Sequence, residues 1–171
     1  FATNGGMYHA DRSPVGMYVE NFSEFSPLIT IEGPGNFGLL PNGVFCFNKR
    51  EFVILETRKF AQAGVHCQYA TQSGPLLVIN GKIHPKFIKG GPSKFIRSGV
   101  GVSTDGLETV FLISNEPVNF HHFASVFLDH LAINNALYLD GNISRLYSPK
   151  LNRIDFGFDI GPIVAVVAPA E

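Results

Sequence analysis

The chain has 171 residues, which suits a single domain with a substantial hydrophobic core. Hydrophobic residues make up 45% of the chain and charged residues 16%, a composition that excludes an intrinsically disordered protein. The net charge of −1 creates no overall field that favours nucleic acid, and no apolar run approaches the ~18–20 residues of a membrane-spanning helix.

Short strand patterns fill the first half of the chain, and many Gly and Pro residues supply the turns between them. The strand-like segments lie at 15–19, 26–31, 43–47 and 51–56. The segment 64–82 predicts two further extended pieces, broken at residues 73–75, with an Asn-Gly turn at its end.

The second half of the chain contains the clearest hairpin and the clearest helix. Apolar residues alternate on both sides of an Asp-Gly turn in the segment 97–114, which predicts two antiparallel strands. From Phe120 to Leu131, apolar residues recur with the i, i+3, i+4, i+7 spacing of an amphipathic helix. Asn119 is placed to cap the start of this helix.

Strand patterns at 136–139 and 162–169 complete the chain. The segments together predict an α+β fold that is mainly antiparallel sheet, with about nine strands and one principal helix. No internal repeat, low-complexity tract or linker-like change in composition divides the sequence. We therefore expect one domain over residues 1–171.

Three patterns that superficially indicate a cofactor or a metal lack the context those sites need. The GxGxxG pattern at 33–38 is followed by proline and a strand, whereas a dinucleotide site needs a helix there. His121 and His122 are adjacent on the predicted helix and point about 100° apart, which is poor geometry for one metal. Cys46 and Cys67 have no metal-ligand spacing, and both isolated thiols and a single disulfide remain open.

A local excess of positive charge lies between residues 82 and 97. Four lysines and Arg97 occur in this segment, which contains no acidic residue. The segment is either a solvated loop or a surface that attracts a phosphate-bearing substrate. In the second case Arg97 is the best candidate for a phosphate contact, because a guanidinium group can bind two oxygen atoms at once.

Asp140 is a lone carboxylate that directly follows an apolar strand. This strand is apolar on both faces, which predicts a central position in the sheet. Asp140 either makes a simple Asp-Gly turn or lies at the rim of a cleft as a catalytic carboxylate.

Four segments resemble, in order, the motifs of the phosphodiester glycosidase family, which contains the lysosomal uncovering-enzyme domain. They are NGGMYHADRSPVGMYV at 4–19, ATQSGPLLVINGKI at 70–83, RSGVGVSTDG at 97–106 and NALYLDGNISRLY at 135–147. Four ordered motifs over almost the whole chain are far more specific than any single match. The resemblance is strongest to the bacterial, exopolysaccharide-associated branch, and it implies a strongly bent, mainly antiparallel sheet.

The resemblance also implies roles for the matched residues. Asp140 is implied to be the nucleophile or general base, and Arg97 to neutralise the phosphate. The positions implied to bind substrate are Asn4, Gly5, Gly6, Gln72, Ser73, Gly74, Gly101, Gly141 and Ser144. Many members have further glycines after the Asp-Gly pair, where this chain has Asn142 and Ile143.

The implied function is hydrolysis of a sugar-1-phosphodiester, of the α-N-acetylglucosaminyl type, in bacterial envelope or exopolysaccharide glycans. The partner is then a phosphorylated glycan, and Asp11 and Glu20 are the acidic residues nearest the first motif for a second carboxylate. The departure after Gly141 favours an alternative, a non-catalytic glycan-binding or envelope-assembly module on the same fold. Transfer of the sugar to an acceptor other than water is a third reading.

The resemblance carries expectations about cofactors and location as well. Some members bind structural calcium, but no acidic loop here resembles such a site, so neither a metal nor a cofactor is predicted. Members usually have strands before the Asn-Gly-Gly motif, and this chain opens with Phe1 instead of Met. We therefore expect an upstream segment with an export signal and a periplasmic or secreted protein; the sequence indicates no oligomeric state.

Overall fold

The structure, a computed structural model, describes residues 1–140 and 143–167. The strands of the described part are β1 (Ala2–Asn4), β2 (Tyr18–Glu20), β3 (Ser23–Ser26), β4 (Gly43–Phe47), β5 (Phe52–Glu56), β6 (Tyr69–Ser73), β7 (Leu76–Ile79), β8 (Lys82–Ile83), β9 (Ser98–Val102), β10 (Thr109–Ile113), β11 (Asn135–Tyr138), β12 (Leu146–Ser148), β13 (Arg153–Ile154) and β14 (Ile163–Ala165). Helix α1 (Thr57–Ala63) follows β5, and helix α2 (Phe120–Ser125) continues as a π-helical segment, Val126–His130. A 3₁₀ turn, Pro149–Leu151, connects β12 to β13.

The strands form three antiparallel sheets. Their orders are β10-β9-β11-β7-β8, β3-β2-β6-β4-β5 and β13-β12-β1-β14. The predicted α+β class, mainly antiparallel sheet with one principal helix, is therefore confirmed. None of the helices in the described residues is both long and apolar enough to cross a lipid bilayer.

Strand β11 is central in its sheet, as its apolar sequence predicts, and its two faces belong to two different cores. Tyr138 and Ala136 pack with Phe123 and Phe127 against α2 and the π-helical segment. Leu137 packs on the opposite face, together with residues of the adjacent strands β7 and β9, against the sheet that contains β4 and β5. The alternation of side chains along a strand thus gives β11 two buried faces.

A disulfide joins Cys46 on β4 to Cys67, just before β6, which decides between the alternatives that the sequence left open. Strands β4 and β6 are hydrogen-bonded neighbours, so the bond reinforces an existing strand pair. Both sulfur-bearing side chains are buried in a core with Val44 and Phe60.

The described residues contain fourteen strands where about nine are predicted, because β1, β12 and β13 are short strands in segments without a strand prediction. Two further elements differ from the prediction. The apolar segment 26–31 is not a strand beyond Ser26, for a reason that lies in the candidate site described below. Helix α1 stands between two predicted strand segments, where no helix is predicted. It is held by Glu56, whose carboxylate accepts from the Lys59 amide at 3.0 Å, and it ends at Gly64 in the left-handed conformation, with φ of 60°.

We expect the double substitution Cys46→Ala and Cys67→Ala to lower the free energy of unfolding by about 3 kcal/mol, because the bond closes a loop across 21 positions of the unfolded chain. Urea denaturation followed by circular dichroism measures this. An unchanged unfolding midpoint would contradict the stabilising role given to the bond.

Candidate active site

A pocket of about 770 Å³ opens beside the end of β11. Asp140 lines it, together with residues 7–9, Val15, Ile143 and most of the segment 29–37. The lining is largely apolar, with a few polar side chains that converge on it, which is typical of small-molecule sites. We therefore take this pocket, called the Asp140 pocket below, as the candidate active site.

Hydroxyl groups from three segments hold the backbone that carries Asp140. Ser73 donates to the Leu139 carbonyl at 2.7 Å, and Ser144 donates to the Asp140 carbonyl at 2.6 Å. The Ser98 hydroxyl lies 3.1 Å from the same Asp140 carbonyl. These bonds satisfy carbonyl groups that the end of the strand would otherwise leave unpaired, so they fix where Asp140 leaves the sheet.

Asn4 ties the first strand to this cluster of hydroxyls. Its side chain is 1% exposed, and its Nδ2 donates to Ser98 Oγ at 2.9 Å. Its Oδ1 accepts from the backbone amide of Arg145 at 3.1 Å. Asn4, Ser73 and Ser144 are thus brought together behind Asp140, and their observed contacts are to protein atoms. Contact of these residues with substrate stays a prediction.

Gly5 and Gly6 let the backbone after Asn4 pass close to other segments. The Gly5 amide donates to the Pro162 carbonyl at 2.6 Å, and the Gly6 amide donates to Thr71 Oγ1 at 3.0 Å. A Cβ atom on Gly6 would overlap the carbonyl oxygen of Gln72. This close packing directs the next residues, 7–9, into the Asp140 pocket.

Gln72 fixes one wall of the pocket from behind. Its Oε1 accepts from the amides of Met17 and Ile29, each at 3.0 Å, and its Nε2 donates to the Ile29 carbonyl at 2.7 Å. The side-chain amide therefore gives Ile29 the two hydrogen bonds that a neighbouring strand would give. This explains why 26–31 forms a wall of the pocket and not the predicted strand.

Tyr8 lines the pocket, and its hydroxyl oxygen is buried. Among the described residues, this oxygen has no hydrogen-bond partner. Burial and the Asp140 carboxylate raise the pKa of Tyr8, while Arg145 and Arg12 act in the opposite direction. The phenol is thus a neutral donor, surrounded by one negative and two positive side chains.

Arg97 does not line the Asp140 pocket; it is 1% exposed and lies on the α2 side of the sheet. Its guanidinium donates to the Val118 carbonyl at 2.7 Å, the Ser93 carbonyl at 3.0 Å and the Tyr138 hydroxyl at 3.1 Å. The ring of Phe120 lies 3.6 Å from its central carbon. The geometry therefore supports a positioning role for Arg97, apart from the pocket that Asp140 lines. The implied contact of Arg97 with phosphate stays a prediction.

Gly74 and Gly101 also lie outside the pocket lining. Gly101, on β9, faces Phe127 and Ile133, where a Cβ atom would be only 2.8 Å and 2.7 Å from their side chains. Gly74 is packed against Asn42 in the same way. Gly141 lies outside the described residues. Gly74 and Gly101 therefore serve close packing.

The lysines of segment 82–97 do not line the Asp140 pocket either. Lys89 and Lys94 line a second cleft beside α2. The positive charge that is expected from the sequence to attract a phosphate-bearing substrate therefore lies elsewhere on the molecule.

Residues that the sequence reasoning passed over supply most of the pocket's polar groups. Glu32 is a second carboxylate in the lining, whereas Asp11 and Glu20, the predicted alternatives, are not part of it. Tyr8 and His9 lie within the first matched motif, one residue after its Asn-Gly-Gly start, a position that could have identified them. Within residues 1–140 and 143–167, no three His, Cys, Asp or Glu side chains form a group that could hold a metal ion.

Comparison with known families adds to this geometry. Residues 1–157 match the family model described as phosphodiester glycosidase. A protein of Escherichia coli strain K12, named "Uncharacterized protein YigE", is 38% identical over 146 residues, which cover 85% of this chain and 57% of the relative.

Two solved structures are similar in fold. The catalytic domain of zebrafish N-acetylglucosamine-1-phosphodiester alpha-N-acetylglucosaminidase, auto-inhibited by its pro-peptide, aligns with a TM-score of 0.54 at 19% identity, over 84% of this chain and 52% of its own. A hypothetical protein from Synechocystis aligns with a TM-score of 0.52 at 14% identity, over 84% of this chain and 46% of its own. The chain thus spans about half the length of these relatives, and at such identities the two structures show the fold alone.

We expect Gln72→Glu to lower the free energy of unfolding by about 2–4 kcal/mol at pH 7, because it removes the donor to Ile29 and buries a charge. Burial raises the pKa of the introduced carboxyl, so the loss should shrink as the pH falls to 5. Urea denaturation at both pH values measures this, with the exposed Gln62→Glu as control. Equal stability of the two variants would contradict the anchoring role.

We expect Arg97→Lys to lower the free energy of unfolding by about 3 kcal/mol, because one ammonium nitrogen cannot reach the three separated acceptors of the guanidinium and has no plane to stack on Phe120. Urea denaturation measures this, with the exposed Arg58→Lys as control. A variant with wild-type stability and greatly reduced turnover would instead support direct contact of Arg97 with substrate.

Proposed function

The chain belongs to the phosphodiester glycosidase family, and on this basis we propose that it hydrolyses the bond between the anomeric carbon of a sugar and the oxygen of a phosphodiester. The observation that carries the proposal is the position of Asp140. It is the carboxylate of a family-like motif, held at the end of a central strand and lining a pocket large enough for a sugar ring.

The chemistry of this bond determines which groups a site needs. The phosphodiester leaves as a stable anion, so its departure requires stabilisation of negative charge more than protonation. Positive charge then develops at the anomeric carbon, where a carboxylate can attack or can activate water. One well-placed carboxylate and a donor for the phosphate are therefore the minimum.

Asp140 is proposed to be that carboxylate, as nucleophile or as general base. The hydroxyl bonds to the carbonyls of Leu139 and Asp140 support this role, because they fix the backbone before substrate arrives. Glu32 lines the same pocket and is proposed as the second carboxylate, available to orient water.

Tyr8 is proposed to donate its unpartnered hydroxyl to a phosphate or sugar oxygen of the substrate. A buried polar atom without a protein partner is uncommon, and a ligand is one of the ways in which it becomes satisfied. Arg145 and Arg12, whose charges act on this phenol, are proposed to contribute the positive potential that a leaving phosphate needs.

The finer substrate is proposed to be an α-N-acetylglucosaminyl phosphodiester within an envelope or exopolysaccharide glycan. The activity named for the zebrafish relative of similar fold supports the sugar and the linkage. We also propose a periplasmic or secreted location. The Cys46–Cys67 disulfide supports it, since such bonds persist mainly in oxidising compartments.

Binding without cleavage is the second candidate. Ile143, at one of the positions where many family members have glycines, lines the same pocket as Asp140 and places an apolar side chain there. A module that retains the glycan pocket but not the reaction would bind the same ligand without turnover, and transfer of the sugar to another acceptor would give a product other than the free sugar.

We expect Asp140→Asn to lower the turnover of an N-acetylglucosamine-1-phosphodiester about 10³-fold while the variant stays folded. The amide keeps the shape of the side chain but can neither attack nor take a proton. Release of free sugar measures turnover, with Glu24→Gln on the exposed edge strand β3 as control.

Wild-type turnover in Asp140→Asn would remove Asp140 from the mechanism. Saturable binding of the substrate by the wild-type protein with no release of sugar would overturn the hydrolytic function and support the binding module.

A further inference from the structure

A second cleft, of about 530 Å³, lies beside α2 and shares no lining residue with the Asp140 pocket. One wall carries Lys89 and Lys94, and the other carries His121 and His122 from the first turn of α2. The lysine side chains are exposed and free to move towards a ligand, whereas the helix holds the two imidazoles at fixed positions.

Positive charge predominates in this second cleft, which is called the lysine cleft below. Its lining contains two ammonium groups and one carboxylate, that of Asp129. Asp129 lies in the π-helical segment, seven residues beyond His122 and about two helical turns further along the axis. The end of the cleft that is formed by the lysines and the histidines is therefore separated from its carboxylate.

Arg97 adds a third positive charge behind the wall of the cleft. Its guanidinium donates to the carbonyls of Val118, which lines the cleft, and of Ser93, which precedes Lys94. Within residues 1–140 and 143–167, the hydrogen bonds from this guanidinium go to carbonyl and hydroxyl oxygens, and no carboxylate accepts one.

Tyr138 does not neutralise this buried charge. Burial raises the pKa of Tyr138 to about 12, so its phenol stays neutral while it accepts from Arg97. A guanidinium in a protein interior is poorly screened, and its field extends into the adjacent cleft. The buried charge and the surface lysines therefore act in the same direction.

We propose that the lysine cleft is a second anion-binding site, separate from the Asp140 pocket, and that it takes a phosphate group. Lys89 and Lys94 bind the phosphate as point charges, and His121 and His122 present ring nitrogens to its oxygens. Arg97 fixes the two walls relative to each other and supplies the charge behind them. Free inorganic phosphate and the phosphate ester of a sugar present the same chemistry to this site.

The test is a titration followed by ¹H–¹⁵N NMR, with three probes: inorganic phosphate, N-acetylglucosamine 1-phosphate and neutral N-acetylglucosamine. We expect both anions to give saturable shifts at the amides of residues 118–122, and the neutral sugar to give none there. In Lys89→Gln/Lys94→Gln the affinity for the anions should fall at least tenfold. The control Lys49→Gln/Lys59→Gln removes the same charge from exposed positions elsewhere and should bind as the wild type does.

Equal affinity for the two anions supports recognition of the phosphate group alone. Higher affinity for the sugar phosphate than for inorganic phosphate supports recognition of a phosphate ester. Absence of saturable shifts at residues 118–122, or equal weakening in the two double variants, would overturn the site. Because the titration reports binding beside α2 and not turnover, its outcome is independent of whether Asp140 supports hydrolysis.

Discussion

The candidate site depends on how the chain leaves the central strand β11. The carbonyl groups just after this strand accept hydrogen bonds from serine hydroxyls of two distant strands and of the loop that follows, and Asn4 binds one of those serines in turn. The main chain before Asp140 is therefore fixed from several directions before any ligand is present. The packing of the sheets therefore determines where the carboxylate lies. The four matched motifs are distant in sequence, yet each contributes a contact at this one place.

The alternation of β-strand side chains then separates two kinds of chemistry. Ser98 and Arg97 are neighbours in the chain, yet Ser98 contacts the Asp140 backbone and Arg97 extends to the opposite side of the sheet, towards α2. One short stretch of chain thus supports the pocket on one side and the lysine cleft on the other. The guanidinium of Arg97, which the sequence suggests as a phosphate-binding group, is instead enclosed by carbonyl groups and an aromatic ring.

The sequence predicts those features that local patterns determine. The hairpin at 97–114, the central position of β11 and the Asn119 cap of α2 are confirmed, because each rests on residues a few positions apart. The family is confirmed as well, since its motifs are contiguous. The segment 26–31 was wrongly predicted as a strand because Gln72, more than forty positions away, satisfies its backbone. The surroundings of Arg97, and the convergence of Tyr8 and Glu32 on one pocket, also depend on distant contacts that no local pattern carries.

The wall formed by segment 29–37 has a consequence for the evolution of specificity. This loop is mostly exposed, and the amide of Gln72 anchors it at one end without adding it to a sheet. Residues 33–36 can therefore diverge among homologues with little effect on the hydrophobic cores, while Asp140, the proposed catalytic carboxylate, stays in place. Selection can in this way adapt one scaffold to different ligands by changing a single surface loop.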